Sequence, residues 1–260
     1  MEIALVQAEL CWEDNDKNLA HFSSLLENVT GVDLFVLPEM FNSGFTMNSD
    51  NIGQTMQGKA VCWLQKMANE KDAVFVASLI ILENNTRYNR LVWVTPNGGT
   101  KTYNKKHLFR MANEHDYFTP GNERVIIEYK GIRFCPQICY DLRFPIWSRN
   151  SDGQSKLPIY DCLIYVANWP KVRNDAWTSL LKARAIENQA FVVGVNRVGV
   201  DGNGIDYSGD SRFFSPKGER IDKVIANKEM ISIVTLNLKT LKEFREKFPV
   251  SDDADLFTLF

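Results

Sequence analysis

The sequence predicts an α/β fold of four layers, an α-β-β-α sandwich, and three observations lead there. Nine short runs rich in Val, Ile and Phe read as strands: "EIALVQ", "DLFVLPE", "AVFVASLIIL", "RLVWVTP", "VIIEY", "IRFCPQIC", "DCLIYVAN", "AFVVGVNR" and "MISIVTLNL". Helical patterns lie between some of them, at 15–29, 59–70 and 175–190 and in "LKTLKEFREKF". The opening order of strand, helix, strand, helix, strand implies βαβ units, whereas "TPNGGT" and "SPKGER" are hairpin turns, so the sheet is mixed. Helices on one face of such a sheet leave its other face apolar, and a second sheet must cover it.

The elements follow in order. "MEIALVQAEL" lacks the basic start and long apolar core of a signal peptide and reads as the first strand. Helix 15–29 gathers Leu19, Phe22, Leu25 and Leu26 on one face, and helix 59–70 does the same with Ala60, Leu64 and Met67. The polar stretch "SRNSDGQSKLP", 148–158, reads as a surface loop. Helix 175–190, with "AWTSLLKARA", has apolar residues to spare for an interface. The tail, about 248–260, ends "SDDADLFTLF", acidic and then apolar, and either packs on a neighbouring surface or frays. With no repeat or linker, one domain is expected over 1–260.

Composition narrows the function. Thirty basic against 32 acidic side chains give a net charge of -2, which leaves no electrostatic footprint for nucleic acid. No run approaches the roughly 18 apolar residues that span a bilayer. Five cysteines at irregular spacings, with no CxxC pair, fit reduced thiols, and a soluble cytoplasmic protein is expected.

Three strand-like runs end in reactive or polar residues: "DLFVLPE" at Glu39, "IRFCPQIC" at Cys139 and "DCLIYVAN" at Asn168 and Trp169. Carboxyl ends of strands are where α/β sheets form ligand crevices. A cysteine nucleophile acts as a thiolate and needs a neighbour to take its proton. Histidine is the usual neighbour, but His21 lies on a predicted helix and His107 sits in "YNKKHLF" beside two lysines, so a Cys-His arrangement is disfavoured. A buried carboxylate can serve instead, and Glu39 in "LFVLPEMF" has an apolar enough setting; otherwise it caps a loop or pairs with a lysine. The lysines of "YNKKHLF" supply a positive charge able to hold an oxyanion, though taken alone they read equally as surface lysines. Cys135 and Cys139 as joint metal ligands are rejected, because four residues of strand hold them about 13 Å apart.

Together "LPEMF", "YNKKHLF" and "CYDLRFP", with "ARAIENQAFVVGVNRVG", "YSGDS" and "SPKGE" following, resemble the nitrilase superfamily of carbon-nitrogen hydrolases over essentially the whole chain. The resemblance implies a Glu39-Lys105-Cys139 triad, with Cys135 an ordinary buried thiol, and alternation along an extended segment would turn Lys106 to the opposite face. It implies a second glutamate near the lysine, for which Glu114 in "MANEHDYF" is the candidate, and an oxyanion site completed by the Tyr140 backbone amide. Neither metal nor organic cofactor is implied.

Cys-Tyr-Asp rather than Cys-Trp-Glu favours amides over nitriles, and "LPEMFNSGF", "HLFRMANEHDYFTPGNER" and "YVANWPKVR" resemble the omega-amidase branch, which acts on 2-oxoglutaramate and 2-oxosuccinamate. A small anionic amide substrate needs a cation and an apolar wall: Arg173 would bind the carboxylate, and Trp169, Phe41 or Phe118 would close the pocket. Arg143 is expected to pair with Asp141 or a nearby carbonyl, and Arg184 and Glu187, three residues apart on a helix, to form a structural pair or an interface contact. A homodimer is expected from the resemblance. The competing readings are another amidase of the same fold, acting on an aliphatic amide or a carbamoyl amine, and a non-catalytic binding protein.

Overall fold

Ile3 and Leu5 enter one apolar core while Ala4 and Val6 enter another, and this period-2 alternation is what separates the layers. The computed structural model describes residues 1–256. In chain order its strands are β1 (Glu2–Gln7), β2 (Leu34–Val36), β3 (Val74–Glu83), β4 (Thr86–Val94), β5 (Thr100–Asn104), β6 (Ile127–Tyr129), β7 (Ile132–Ile138), β8 (Cys162–Ala167), β9 (Phe191–Asn196), β10 (Val198–Val200), β11 (Asp206–Ser208), β12 (Arg212–Phe214) and β13 (Met230–Thr235). The α-helices are α1 (Asn15–Leu26), α2 (Ser49–Ile52), α3 (Lys59–Lys71), α4 (Glu114–Tyr117), α5 (Asn174–Asn188) and α6 (Leu238–Lys247).

Two sheets form the centre. One runs β13-β1-β2-β3-β4-β5 and the other β12-β9-β8-β7-β6, with β10 and β11 as a separate ribbon. Strands β1, β2 and β3 are mutually parallel, as are β7, β8 and β9, so each sheet has a parallel heart with antiparallel flanks. Phe35, Phe75 and Val92 of the first sheet pack under α1 and α3, through Phe22, Leu26, Leu64 and Met67. Its opposite face, Leu34, Val36, Val74 and Trp93, meets Phe134 and Ile164 of the second sheet. The second sheet is covered in turn by α5, whose Trp177 and Leu181 press on β9 so closely that a Cβ at Gly194 would lie 2.5 Å from Leu181 Cδ1. The layers are therefore α-β-β-α, as the run pattern predicted.

Four strands escaped the sequence reading. β5 is a polar edge strand, and β10, β11 and β12 have only three residues each, too few for a periodicity to register. The four longer helices were nearly in place, while α2 and α4, of four residues each, were not read: α1 begins after Asp14, whose carboxylate accepts from the Lys17 N–H at 3.0 Å, and α6 after Asn237, which accepts from Lys239 and Thr240. The apolar end of the tail, 257–260, lies outside the described residues.

The stretch 148–158 departs from the surface loop expected of it, because its first residues are buried. Asn150 is the reason. Its side-chain amide donates to the carbonyls of Tyr160 (3.0 Å) and Asn188 (3.1 Å), and its side-chain oxygen accepts from the Ile159 and Tyr160 N–H groups, both at 2.9 Å. One side chain thus satisfies four backbone groups at a turn that reverses inside the protein. Asn150→Ala should cost at least about 2 kcal/mol in urea unfolding, since it strands those groups without water; a loss near zero would mean that the loop can re-pair them.

Candidate active site

Glu39 follows β2, Cys139 follows β7 and Asn168 follows β8, so the carboxyl ends of parallel strands from both sheets converge. Lys105 comes in from the end of β5, and Glu114 from the start of α4. Glu39, Lys105 and Glu114 are almost wholly buried. The Lys105 ammonium lies 2.8 Å from Glu39 Oε1 and 3.0 and 2.9 Å from the two oxygens of Glu114. Glu39 Oε2 accepts from the Asn168 N–H at 2.9 Å, and Glu114 Oε2 from the Phe109 N–H at 2.6 Å. The Cys139 thiol donates to the Asn168 carbonyl at 3.8 Å.

Cys139 stands at φ +41°, a left-handed conformation that costs a non-glycine residue about 1 kcal/mol or more. There β7 ends and a 3-10 turn, Cys139–Arg143, begins. Asp141 holds this turn in place. Fully buried, it accepts from the Ile138 N–H (3.0 Å), the Tyr103 hydroxyl (2.7 Å), the His107 N–H (2.9 Å) and the His107 ring at Nδ1 (2.8 Å). The cysteine turn and the lysine loop are therefore tied through one carboxylate. His107 also stacks on Phe144, with ring centroids 3.7 Å apart, which makes it part of that brace. Gly121 supports the lysine from behind: its N–H donates to the Lys105 carbonyl at 2.8 Å, and a Cβ there would lie 2.2 Å from the Asn104 carbonyl oxygen.

Electrostatics follow from burial. Desolvation pushes the Cys139 thiol well above its usual range and the Glu39 charge adds to that, while Lys105 pulls the other way, so the resting thiol keeps its proton. Burial works against the Lys105 charge, yet Glu114 and Glu39 outweigh it and hold the ammonium above its ordinary range. Burial also raises the Glu114 carboxyl, against the pull of Lys105.

Above this cluster opens a cleft of about 1150 Å³ whose lining includes Lys105, Cys139, Tyr140, Arg143, Trp169 and Arg173. Arg173 lies over the Phe109 ring at 5.9 Å and Arg143 over the Trp169 ring at 5.0 Å; among the described residues neither has a carboxylate within ion-pair distance. Arg143 therefore does not pair with Asp141, whose oxygens are taken by the four donors named above. Arg184 does pair with Glu187, at 2.9 Å.

Two expected wall residues are elsewhere. Phe41 is wholly buried between α1 and α3 against Phe22 and Trp63, and Phe118 packs with Met40, Ile80 and Leu108, so neither lines the cleft. Both adjoin reactive residues in sequence but turn into the core behind them. Lys106 turns away from Lys105, its ammonium over the Trp147 ring at 5.4 Å. Sequence reasoning missed Asn89, whose side-chain amide donates to both carboxylates, and Asn196, which fixes the Trp169 backbone through bonds of 2.7 and 3.0 Å. For Asn196 the available signal was an amide ending the apolar run of β9; Asn89, between Tyr88 and Arg90, carried none.

Comparison with known proteins gives the family. The carbon-nitrogen hydrolase family model matches residues 2–246, and the chain belongs to that family. It is 46% identical to omega-amidase YafV of Escherichia coli K12, over 100% of this chain and 99% of that one. The 2-oxoglutaramate amidase of Bacillus subtilis is 31% identical, with 96% of each chain covered. Among solved structures, XC1258 of Xanthomonas campestris, a CN-hydrolase superfamily protein with an arsenic adduct in its active site, superposes with a TM-score of 0.95 at 41% identity, covering 100% of this chain and 99% of that one.

Lys105→Met would leave two buried carboxylates without their cation, and should cost roughly 3–5 kcal/mol at neutral pH. A buried carboxyl with a raised pKa favours the folded state while protonated, and that contribution fades as pH rises through its folded value. Removing Lys105 raises Glu114 further, so the deficit should shrink in mildly acidic buffer. Urea midpoints at the two pH values test this; equal deficits would contradict the charge balance described.

Proposed function

We propose that the protein is an omega-amidase that hydrolyses the terminal amide of 2-oxoglutaramate and 2-oxosuccinamate to the 2-oxo dicarboxylic acid and ammonia. The observation that carries the reading is the cleft itself: a buried carboxylate-ammonium-thiol cluster at its floor and, on its wall, two arginines with no acid partner among the described residues, suited to an amide at one end of a substrate and a carboxylate at the other. Full-length similarity to omega-amidase YafV and to 2-oxoglutaramate amidase supports it.

In this reading Glu39 takes the proton of Cys139 as the sulfur attacks the amide carbon, which suits a thiol that keeps its proton at rest. The carbonyl oxygen becomes an oxyanion between the Lys105 ammonium and the Tyr140 N–H; that N–H belongs to the first turn of a 3-10 helix, where backbone donors lack intrahelical partners. Glu39 returns the proton to the leaving nitrogen and ammonia departs, leaving a thioester on Cys139. Glu39 then takes a proton from water, the hydroxyl oxygen bonds to the acyl carbon, the carbon-sulfur bond breaks, and the sulfur recovers the proton. Glu114 keeps Lys105 charged and in place. Arg173 and Arg143 hold the carboxylate, with Trp169 as the flat wall beside it.

The reading extends to assembly as a homodimer and to the cytoplasm. An exposed Ile186 on α5 and five free cysteines are consistent with it, and among the described residues no helix is long and apolar enough to cross a membrane.

Ammonia release from the two 2-oxo amides should be strong and should vanish in Cys139→Ala, with glutamine, asparagine and a simple aliphatic amide turned over poorly. Arg173→Ala and Arg143→Ala should each raise KM about tenfold or more, the loss of a charged hydrogen bond, while leaving kcat less affected. Equal turnover of the aliphatic amide and the 2-oxo amides would point to another amidase.

A further inference from the structure

The hydrogen-bond arrangement around the two carboxylates contains one open position. An ionised carboxylate offers about four acceptor sites, two per oxygen. Glu114 Oε1 receives Lys105 (3.0 Å) and the side-chain amide of Asn89 (3.1 Å), and its Oε2 receives Lys105 (2.9 Å) and the Phe109 N–H (2.6 Å). Glu39 Oε1 receives Lys105 and Asn89, both at 2.8 Å. Among the described residues, only Glu39 Oε2 has a single donor, the Asn168 N–H at 2.9 Å. Asn168 is also the residue whose carbonyl accepts from the Cys139 thiol, so the open position lies on the cysteine side of the cluster.

We propose that Asn89 is a positioning residue that directs the proton of Cys139 to Glu39 Oε2 by filling the remaining site on Oε1 of both Glu39 and Glu114. The proposal rests on the Glu39-Lys105-Cys139 reading and adds to it which oxygen acts and what enforces the choice. Asn89 is buried on β4, opposite Ile80 of β3. Its neighbours on the amide side are carboxylate oxygens, so the NH2 group, not the carbonyl, faces them. Its own side-chain oxygen has no partner, which an asparagine kept only for stability would have reason to avoid. The Asn89 backbone carbonyl accepts from the Lys105 N–H at 2.9 Å, so one residue holds the Lys105 backbone through its main chain and both carboxylates through its side chain.

Removing the amide reopens Oε1 on both carboxylates. A proton can then settle there, out of line with the thiol, and each carboxylate loses a donor that favoured its charged form. The titratable groups facing Glu39 are Lys105 beyond β5, Glu114 on α4 and Cys139 beyond β7; its other partners, Asn89 and Asn168, are uncharged. Activity, which is lost as the base protonates, is therefore lost at a higher pH in the variant.

The test is the pH dependence of kcat/KM for 2-oxoglutaramate hydrolysis by wild type, Asn89→Ala and Asn89→Ser. In Asn89→Ala, kcat should fall about tenfold or more, KM should stay within about threefold, and the acid limb should move up by about one pH unit, with Asn89→Ser between it and wild type because it restores one donor. Should the alanine variant fail to fold, the serine variant carries the same test. An acid limb that superposes on wild type would overturn the proposal even if kcat had fallen, since a merely structural role lowers the amount of active protein without moving the limb. Absence of Cys139-dependent turnover in the wild type would instead remove the reading beneath it.

Discussion

Everything in the site depends on one buried ammonium shared by two buried carboxylates. Lys105 cannot be withdrawn from water without Glu39 and Glu114, and they cannot be buried as anions without it. The cost of that desolvation is offset by donors around the pair, from Asn89, Phe109 and Asn168, which leave one acceptor site open on Glu39 Oε2. Such a cluster is electrostatically stiff, because no member can move without leaving a charge unpaired in a medium of low polarity.

The fold supplies the points from which these groups are held. Two parallel-hearted sheets stacked face to face bring the ends of β2, β7 and β8 to one edge, and each of those ends delivers one component: a carboxylate, a thiol and a backbone donor. Asp141 then locks the cysteine turn to the lysine loop through four hydrogen bonds, so the left-handed backbone at Cys139 is imposed from both sides. The outer part of the cleft is built differently, from loops carrying Arg173 and Trp169 and from the exposed Arg143, which is where specificity can vary without disturbing the charged floor.

What was legible in the sequence follows the same division. The layers could be read because long apolar runs and amphipathic helices have periods that composition exposes, and Glu39, Cys139 and Asn168 stood out as polar residues at strand ends. Asn89 was not legible, since nothing local shows that the side of β4 it occupies faces two carboxylates rather than lipophilic packing. Phe41 and Phe118 were misread for a related reason: proximity in sequence to Glu39 and Glu114 says nothing about which way a neighbouring side chain turns, and both turn into the core. Arg143 was expected to pair with Asp141, two residues before it, or with a nearby carbonyl, whereas Asp141 is filled by donors from β5, from the loop beyond it and from the end of β7. Asn150 shows the converse case, a polar residue in a polar stretch that is nonetheless interior.

The central claim is that Glu39 is the base that allows Cys139 to form a thioester. Intact-mass measurement of Glu39→Gln, mixed with excess 2-oxoglutaramate and quenched over time, tests it most directly. The account predicts an unmodified chain throughout, because a glutamine cannot accept the thiol proton. Stoichiometric accumulation of the acylated chain in that variant would contradict it and assign the proton to another group.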